Sequence, residues 1–76
     1  MNRNNMLKQV GSKIKTLRQN NGLSKKVFCK ILNLSSTSIT LIENGKVDFS
    51  LNVLIKILET FNIQFDELIG ENKNEL

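Results

Sequence analysis

The chain contains no histidine and a single cysteine, Cys29. This scarcity excludes Ser-His-Asp triads, disulfide frameworks and the common Cys/His zinc sites. The scarcity does not by itself exclude an enzyme, but no nucleophile–base pair or metal-ligand set can be assembled from the remaining residues. We therefore expect a protein that is not an enzyme and that needs no metal or other cofactor. A lone cysteine suits a reducing compartment, and we expect Cys29 to be a core residue with an unreactive thiol.

Long apolar runs are also missing. No segment approaches the roughly 20 apolar residues that span a bilayer, and the start lacks the apolar region of a secretory signal. We therefore expect a cytoplasmic protein without a membrane partner. With no proline and no internal repeat, the 76 residues are expected to form one small domain that gains stability from a partner subunit.

Acidic residues are scarce in the first part of the chain. Residues 1–46 carry nine lysines or arginines against one acid, Glu43, for a net charge of +8, whereas residues 47–76 carry two cations against six acids, for −4. A chain polarised in this way favours a basic face turned toward a polyanion. A solvated, lysine-rich surface is the alternative interpretation.

Apolar residues recur at spacings of three and four, which is the period of one helix face. Residues 7–20 show this pattern clearly. A later segment carries a broad stripe that we expect to be deeply buried: Leu51, Leu54, Ile55, Leu58 and Phe61.

Capping residues divide the chain at regular intervals. Three serines stand where helices are expected to begin, at Ser24, Ser35 and Ser50. Glycine or asparagine follows each expected helix, at Gly22, Asn33, Gly45, Asn62 and Gly70. These signals predict five helices and no strand. The all-α domain is expected over residues 7–70, between a flexible N-terminus (residues 1–6) and a polar tail (residues 71–76).

The expected third helix, over about residues 36–44, is rich in serine and threonine, which are poor helix formers. A merely solvated helix face usually carries Lys, Glu or Gln. Short polar side chains at Ser36, Thr37 and Thr40 are instead suited to approach base edges in a DNA major groove. With the preceding helix and the turn at Asn33, this segment forms a predicted helix-turn-helix.

These segments resemble the phage repressor/Cro-like (Xre-type) helix-turn-helix DNA-binding family. The resemblance covers residues 11–70 and rests on "IKTLRQNNGLS", "VFCKILNLSSTSITLIENGK", "SLNVLIKILETFNI" and "FDELIG". It implies a five-helix, lambda repressor-like fold. It also implies a sequence-specific, repressor-like regulator of transcription that binds double-stranded DNA with its third helix in the major groove.

The resemblance implies roles for individual residues as well. The expected base-reading residues are Ser36, Thr37, Thr40 and Leu41. The expected phosphate contacts are Lys25, Lys26, Ser35, Asn44 and Lys46. Arg18 and Glu43 are expected to form a partly buried ion pair with a structural role.

The chain departs from the family pattern at several positions. Lys25 replaces the usual Gln, which keeps attraction to phosphate but loses the amide bridging that some members use. Cys29 and Asn33 replace the usual Ala and Gly. The Pro often found before the fourth helix is absent, and Phe49 lies in its neighbourhood.

The third helix offers no Arg, Gln or Asn for bidentate readout over residues 35–42. We therefore expect modest direct discrimination between bases, contacts to thymine methyl groups and substantial readout of DNA shape.

The partners expected are a DNA operator and a second copy of the chain, with no small-molecule ligand implied. Candidates for the interface of a homodimer on a two-fold operator are Phe61, Ile63, Phe65 and Leu68. Packing of these residues onto the first and fourth helices is the alternative. Two other functions stay open: an antitoxin that represses its own operon and binds a toxin, and a protein-interaction module without DNA binding.

Overall fold

The computed structural model describes residues 2–69, which form five helices and no strand. In chain order the helices are α1 (Arg3–Asn20), α2 (Lys25–Leu32), α3 (Ser36–Glu43), α4 (Leu51–Phe61) and α5 (Phe65–Ile69). The all-α class and the helix order confirm the prediction. Gly70 and the polar tail lie outside the described residues. Within residues 2–69, no helix combines the length and apolar character needed to cross a membrane.

The first helix begins at Arg3, four residues before the predicted start at residue 7. Its N-cap is Asn2, whose side chain accepts a hydrogen bond from the backbone N–H of Asn5 at 2.8 Å. Arg3 also forms an ion pair with Asp48. Residues 3–6, which were expected in a flexible N-terminus, are therefore helical. The division of the chain into a domain and a C-terminal tail stays a prediction.

The predicted helix starts are confirmed at three serines. Each serine hydroxyl accepts from the backbone N–H three residues later, at 3.1 Å for Ser24 and Ser35 and 3.2 Å for Ser50. These bonds satisfy N–H groups that have no partner within the helix. Ser24, Ser35 and Ser50 thus mark the starts of α2, α3 and α4.

Four helices end in the same way, with one residue in the left-handed conformation after the last turn. These residues are Gly22, Asn33, Gly45 and Asn62, with φ between 54° and 71°. In each case the next backbone N–H donates to a carbonyl five residues earlier, at 2.9–3.1 Å. Asparagine takes the place of glycine at two of these ends because it tolerates positive φ better than other side chains.

Eight apolar side chains from all five helices form the core: Val10, Ile14, Phe28, Leu32, Ile39, Ile42, Ile57 and Leu68. The prediction for α4 was partly wrong. Ile57 is fully buried, whereas Leu51 and Ile55 are 69% and 44% exposed. Because α4 is apolar around most of its circumference, residue spacing does not identify which side faces the core.

The contact between α1 and α3 depends on glycine. A Cβ on Gly11 would lie 2.3 Å from the carbonyl oxygen of Ile42, and one on Gly45 would lie 2.6 Å from Lys8 Cα. Both distances are far below van der Waals contact. The two glycines therefore allow α3 to lie directly against the backbone of α1.

Candidate nucleic-acid interface

The helix pair α2–α3 has the geometry of a helix-turn-helix. α2 ends at Leu32, Asn33 makes the turn in the left-handed conformation, and Ser35 caps α3. Ile39 and Ile42 are buried and fix one side of α3 onto the core. The opposite side of α3 is left facing outward.

The outward side of α3 presents the side chains predicted to read bases. Ser36, Thr37 and Leu41 are exposed, and Thr40 is half-buried. Their side chains are short, so the α3 backbone can approach another surface closely. The structure thus brings all four residues to one helix, and their contact with bases stays a prediction.

Lys25 and Thr40 are bonded to each other. Lys25 Nζ donates a hydrogen bond to Thr40 Oγ1 at 2.8 Å. The long side chain of Lys25 thus spans from the start of α2 to the second turn of α3, although it cannot supply the donor and acceptor of an amide. The predicted phosphate contact of Lys25 therefore has to coexist with this bond.

The other predicted phosphate contacts lie near the two ends of α3 or at the start of α2. Lys26, Asn44 and Lys46 are exposed. Ser35 is exposed too, but its hydroxyl accepts from the Ser38 backbone N–H and donates to Ser38 Oγ, both at 3.1 Å. The hydroxyl of Ser35 is therefore engaged in capping.

Lys8 is a cation at this surface that sequence reasoning gave little weight. It is exposed on α1, and its Cα and Cγ would lie within 3 Å of a Cβ on Gly45. Its side chain therefore starts beside the segment that carries Asn44 and Lys46. No local signal identifies Lys8, because its position depends on the close packing of α1 and α3.

Arg18 and Glu43 form a bidentate, buried ion pair. Arg18 Nε donates to Glu43 Oε2 at 2.7 Å, and Nη2 donates to Oε1 at 3.3 Å. Arg18 Nη1 also donates to the carbonyl of Leu23 at 2.9 Å. Glu43 is the sole acid in residues 1–46, so its burial leaves α1, α2 and α3 with exposed cations and no exposed acidic side chain.

The four candidates for a dimer interface have different environments. Phe61 and Ile63 are half-buried, and Phe65 is 49% exposed. Leu68 is only 2% exposed and belongs to the core, so it is not available to a partner. The Phe61 ring instead packs on Phe28, with centroids 5.8 Å apart.

An open apolar groove of about 150 Å³ lies beside Phe65. Its walls come from α1, α4, α5 and the loop before α4, and include Met6, Leu7, Phe49 and Leu54. Sequence reasoning did not predict the groove, because its residues come from four separate segments.

Comparison with known proteins agrees with this geometry. The family model described as "Helix-turn-helix" matches residues 14–68. The structure is similar to that of the restriction-modification controller protein C.AhdI from Aeromonas hydrophila, with a TM-score of 0.73 and 26% sequence identity. This match covers 82% of the present chain and 94% of the controller protein.

A curated relative is the antitoxin PezA of Streptococcus pneumoniae, which is 31% identical over 64 residues. The aligned region covers 84% of the present chain and 40% of the antitoxin, so the chain spans well under half of that relative's length. The region matched by the family model includes the α2–α3 pair. The chain belongs to the helix-turn-helix family of the phage repressor/Cro-like (Xre) type.

Proposed function

We propose that the protein is a sequence-specific regulator of transcription that binds double-stranded DNA with α3 in the major groove. One observation carries this proposal: α3 turns short polar side chains outward from a basic surface whose single acid is buried against Arg18. Membership of the helix-turn-helix family and the similarity to a controller protein support the same function. The proposal assigns no enzymatic role and no cofactor.

Phosphate contacts supply most of the affinity in this proposal, and α3 supplies sequence choice. Lys26, Asn44 and Lys46 contact phosphates from either side of α3. Ser35 contacts a phosphate through its backbone N–H, because its hydroxyl is engaged with Ser38.

Base reading comes from the outward side of α3. Bases are contacted by Ser36, Thr37, Thr40 and Leu41. Single hydroxyl contacts discriminate modestly, so DNA shape contributes much of the specificity.

Selection of binding sites from random DNA duplexes tests the proposal. We expect an enriched site, binding that weakens steeply with salt and a loss of binding in Thr37→Glu, which places an anion against the groove. Thr16→Glu is the matched control, since Thr16 is an exposed threonine on α1. Absence of binding even at low salt contradicts the proposal and favours a protein-interaction module. A strongly specified, guanine-rich half-site contradicts the expected weak readout.

We further propose that the regulator acts as a homodimer on a two-fold operator. Phe65 on α5 and the exposed apolar residues Leu51 and Ile55 on α4 provide surface for a second copy. Phe61 and Ile63 are half-buried and expose less apolar surface to a partner. A two-fold dimer would present two α3 helices to successive major grooves.

Sedimentation at micromolar concentration tests the homodimer. We expect a dimer for the wild type and a monomer with weaker DNA binding for Phe65→Ser. Leu41→Ser is the control, because Leu41 is an exposed apolar residue on α3 and its loss is expected to leave the dimer intact. A wild-type protein that stays monomeric with and without DNA contradicts this proposal.

A second candidate function is that of an antitoxin that represses its own operon. The similarity to PezA over 64 residues is the observation that favours it. Under this proposal the protein binds DNA as above and also binds a toxin. Expression of the neighbouring reading frame should then arrest growth, and co-expression of this chain should restore growth. An adjacent gene whose expression has no effect on growth argues against the antitoxin role.

A further inference from the structure

We propose that Lys25 determines specificity by fixing the Thr40 hydroxyl as a hydrogen-bond donor toward the DNA. This inference rests on the proposed function and names the chemistry that one side chain recognises. It starts from the 2.8 Å bond between Lys25 Nζ and Thr40 Oγ1, which connects the first residue of α2 to the outward side of α3.

The polarity of this bond follows from the two groups. An ammonium has only donors, whereas a hydroxyl has one proton and two lone pairs. Lys25 must therefore donate and occupy a lone pair of Thr40 Oγ1. The Thr40 proton then points away from Lys25 and needs an acceptor elsewhere.

A helical threonine commonly gives its proton to the carbonyl four residues earlier. Thr60 does so, with Oγ1 donating to the carbonyl of Lys56 at 2.6 Å. Among residues 2–69, Thr40 Oγ1 donates to no such acceptor. Its proton is therefore available to a ligand at the outward surface of α3.

The positive charge on Lys25 strengthens this preference. A hydroxyl that accepts from an ammonium is polarised and becomes a better donor. The charge also repels the amino groups of cytosine and adenine and attracts guanine N7 and O6, adenine N7 and thymine O4. Thr40 is therefore expected to select an acceptor and to disfavour cytosine on the strand that it contacts.

The other hydroxyls on this side of α3 provide an internal contrast. Within the described part of the chain, Ser36 and Thr37 have no hydrogen-bond partner for their hydroxyls, so either polarity remains open to them. Base pairs facing Ser36 and Thr37 are expected to tolerate both donors and acceptors. Only the pair facing Thr40 should show a preference that depends on Lys25.

Site selection with four proteins tests this inference: the wild type, Lys25→Met, Thr40→Val and the double variant. The position whose preference is lost in Thr40→Val is the base pair facing Thr40. We expect a preference of about 2- to 10-fold against cytosine there, the range of a single hydrogen bond. Lys25→Met should abolish the preference at this position and leave the preferences at other positions unchanged. The double variant should lose no more of this preference than either single variant does.

Two control variants separate this role from a phosphate contact. Lys25→Arg keeps a charged donor and should retain the preference. Lys26→Met, on the adjacent exposed lysine, should weaken binding equally for all sequences and lower the salt dependence. A loss of fold would not change the preference at one base pair selectively.

The inference is overturned if Lys25→Met behaves like Lys26→Met, if the effects of Lys25→Met and Thr40→Val are additive, or if cytosine is preferred at the Thr40 position. In each of these outcomes the wild type still selects a DNA site, so the proposed function stands. Failure of the wild type to select any site contradicts the proposed function itself.

Discussion

Arg18 of α1 and Glu43 of α3 meet through two buried hydrogen bonds, 2.7 and 3.3 Å long. A third hydrogen bond, from Arg18 Nη1 to the carbonyl of Leu23, also attaches the segment that leads into α2. One side chain therefore fixes α3 and the start of α2 relative to α1. We therefore expect the pair to influence DNA binding only through the positions of these helices.

Replacement of Arg18 with Met is expected to destabilise the fold strongly. It leaves the Glu43 carboxylate buried without a partner, which costs about 3–5 kcal/mol of unfolding free energy. Urea unfolding followed by circular dichroism measures the loss. The double variant Arg18→Met/Glu43→Leu should recover much of it, because no uncompensated charge remains. Arg3→Met is the control, since the Arg3–Asp48 pair is exposed and worth at most about 1 kcal/mol.

Gly11→Ala is expected to destabilise the protein, although alanine is more favourable than glycine inside a helix by about 1 kcal/mol. The new methyl group would lie 2.3 Å from the Ile42 carbonyl oxygen, so α1 and α3 must separate at a cost of about 1–3 kcal/mol. Thermal unfolding measures the change, and Ser12→Ala at the neighbouring exposed position should be nearly neutral. An unfolding temperature that rises in Gly11→Ala contradicts the observed helix contact.

Gly22 and Gly45 offer a matched pair that separates backbone strain from crowding. Their φ angles are 69° and 71°, but only Gly45 has a neighbour, Lys8, within 4 Å of an added Cβ. Gly22→Ala should cost about 1–2 kcal/mol from strain alone. Gly45→Ala should cost at least about 1 kcal/mol more because of overpacking. Both losses of unfolding free energy are measured by urea unfolding. Equal losses in the two variants would show that Lys8 moves away from the new methyl group at no cost.

Lys46→Ala is expected to weaken binding to all DNA sequences to a similar extent. Loss of one phosphate contact should lower the slope of log affinity against log salt concentration by about one. Fluorescence anisotropy over a salt series measures this slope. Lys56→Ala removes an exposed lysine from α4 and should leave the slope unchanged. Identical slopes for both variants argue that Lys46 does not contact phosphate.

Local signals explain why the helix boundaries were predictable. The serine caps and the left-handed Gly and Asn residues act within a few positions of themselves, so the sequence displays them directly. The early start of α1 escaped prediction because residues 3–5 carry no apolar pattern, although Asn2 is itself a preferred N-cap.

Features that depend on two helices at once were harder to predict. The role of Gly11 and the Lys25–Thr40 bond both require the distance between helices, which spacing along one helix does not give. The buried side of α4 was partly misassigned for a related reason, since Leu51 and Ile57 are equally apolar and only their neighbours distinguish them. Ser36, Thr37 and Leu41 are exposed as predicted, because Ile39 and Ile42 define the buried side of α3, whereas Thr40 is half-buried.

The first helix, α1, contacts both α3 and the apolar groove beside α5. Its 18 residues extend about 27 Å, and it holds α3 through Gly11 and Arg18 while Met6 and Leu7 border the groove beside α5. The two surfaces are adjacent along α1, because Leu7 and Val10 line the groove while Gly11 packs against the end of α3. A change of the α1 backbone near residues 7–11 would therefore alter both the packing of α3 and the wall of the groove.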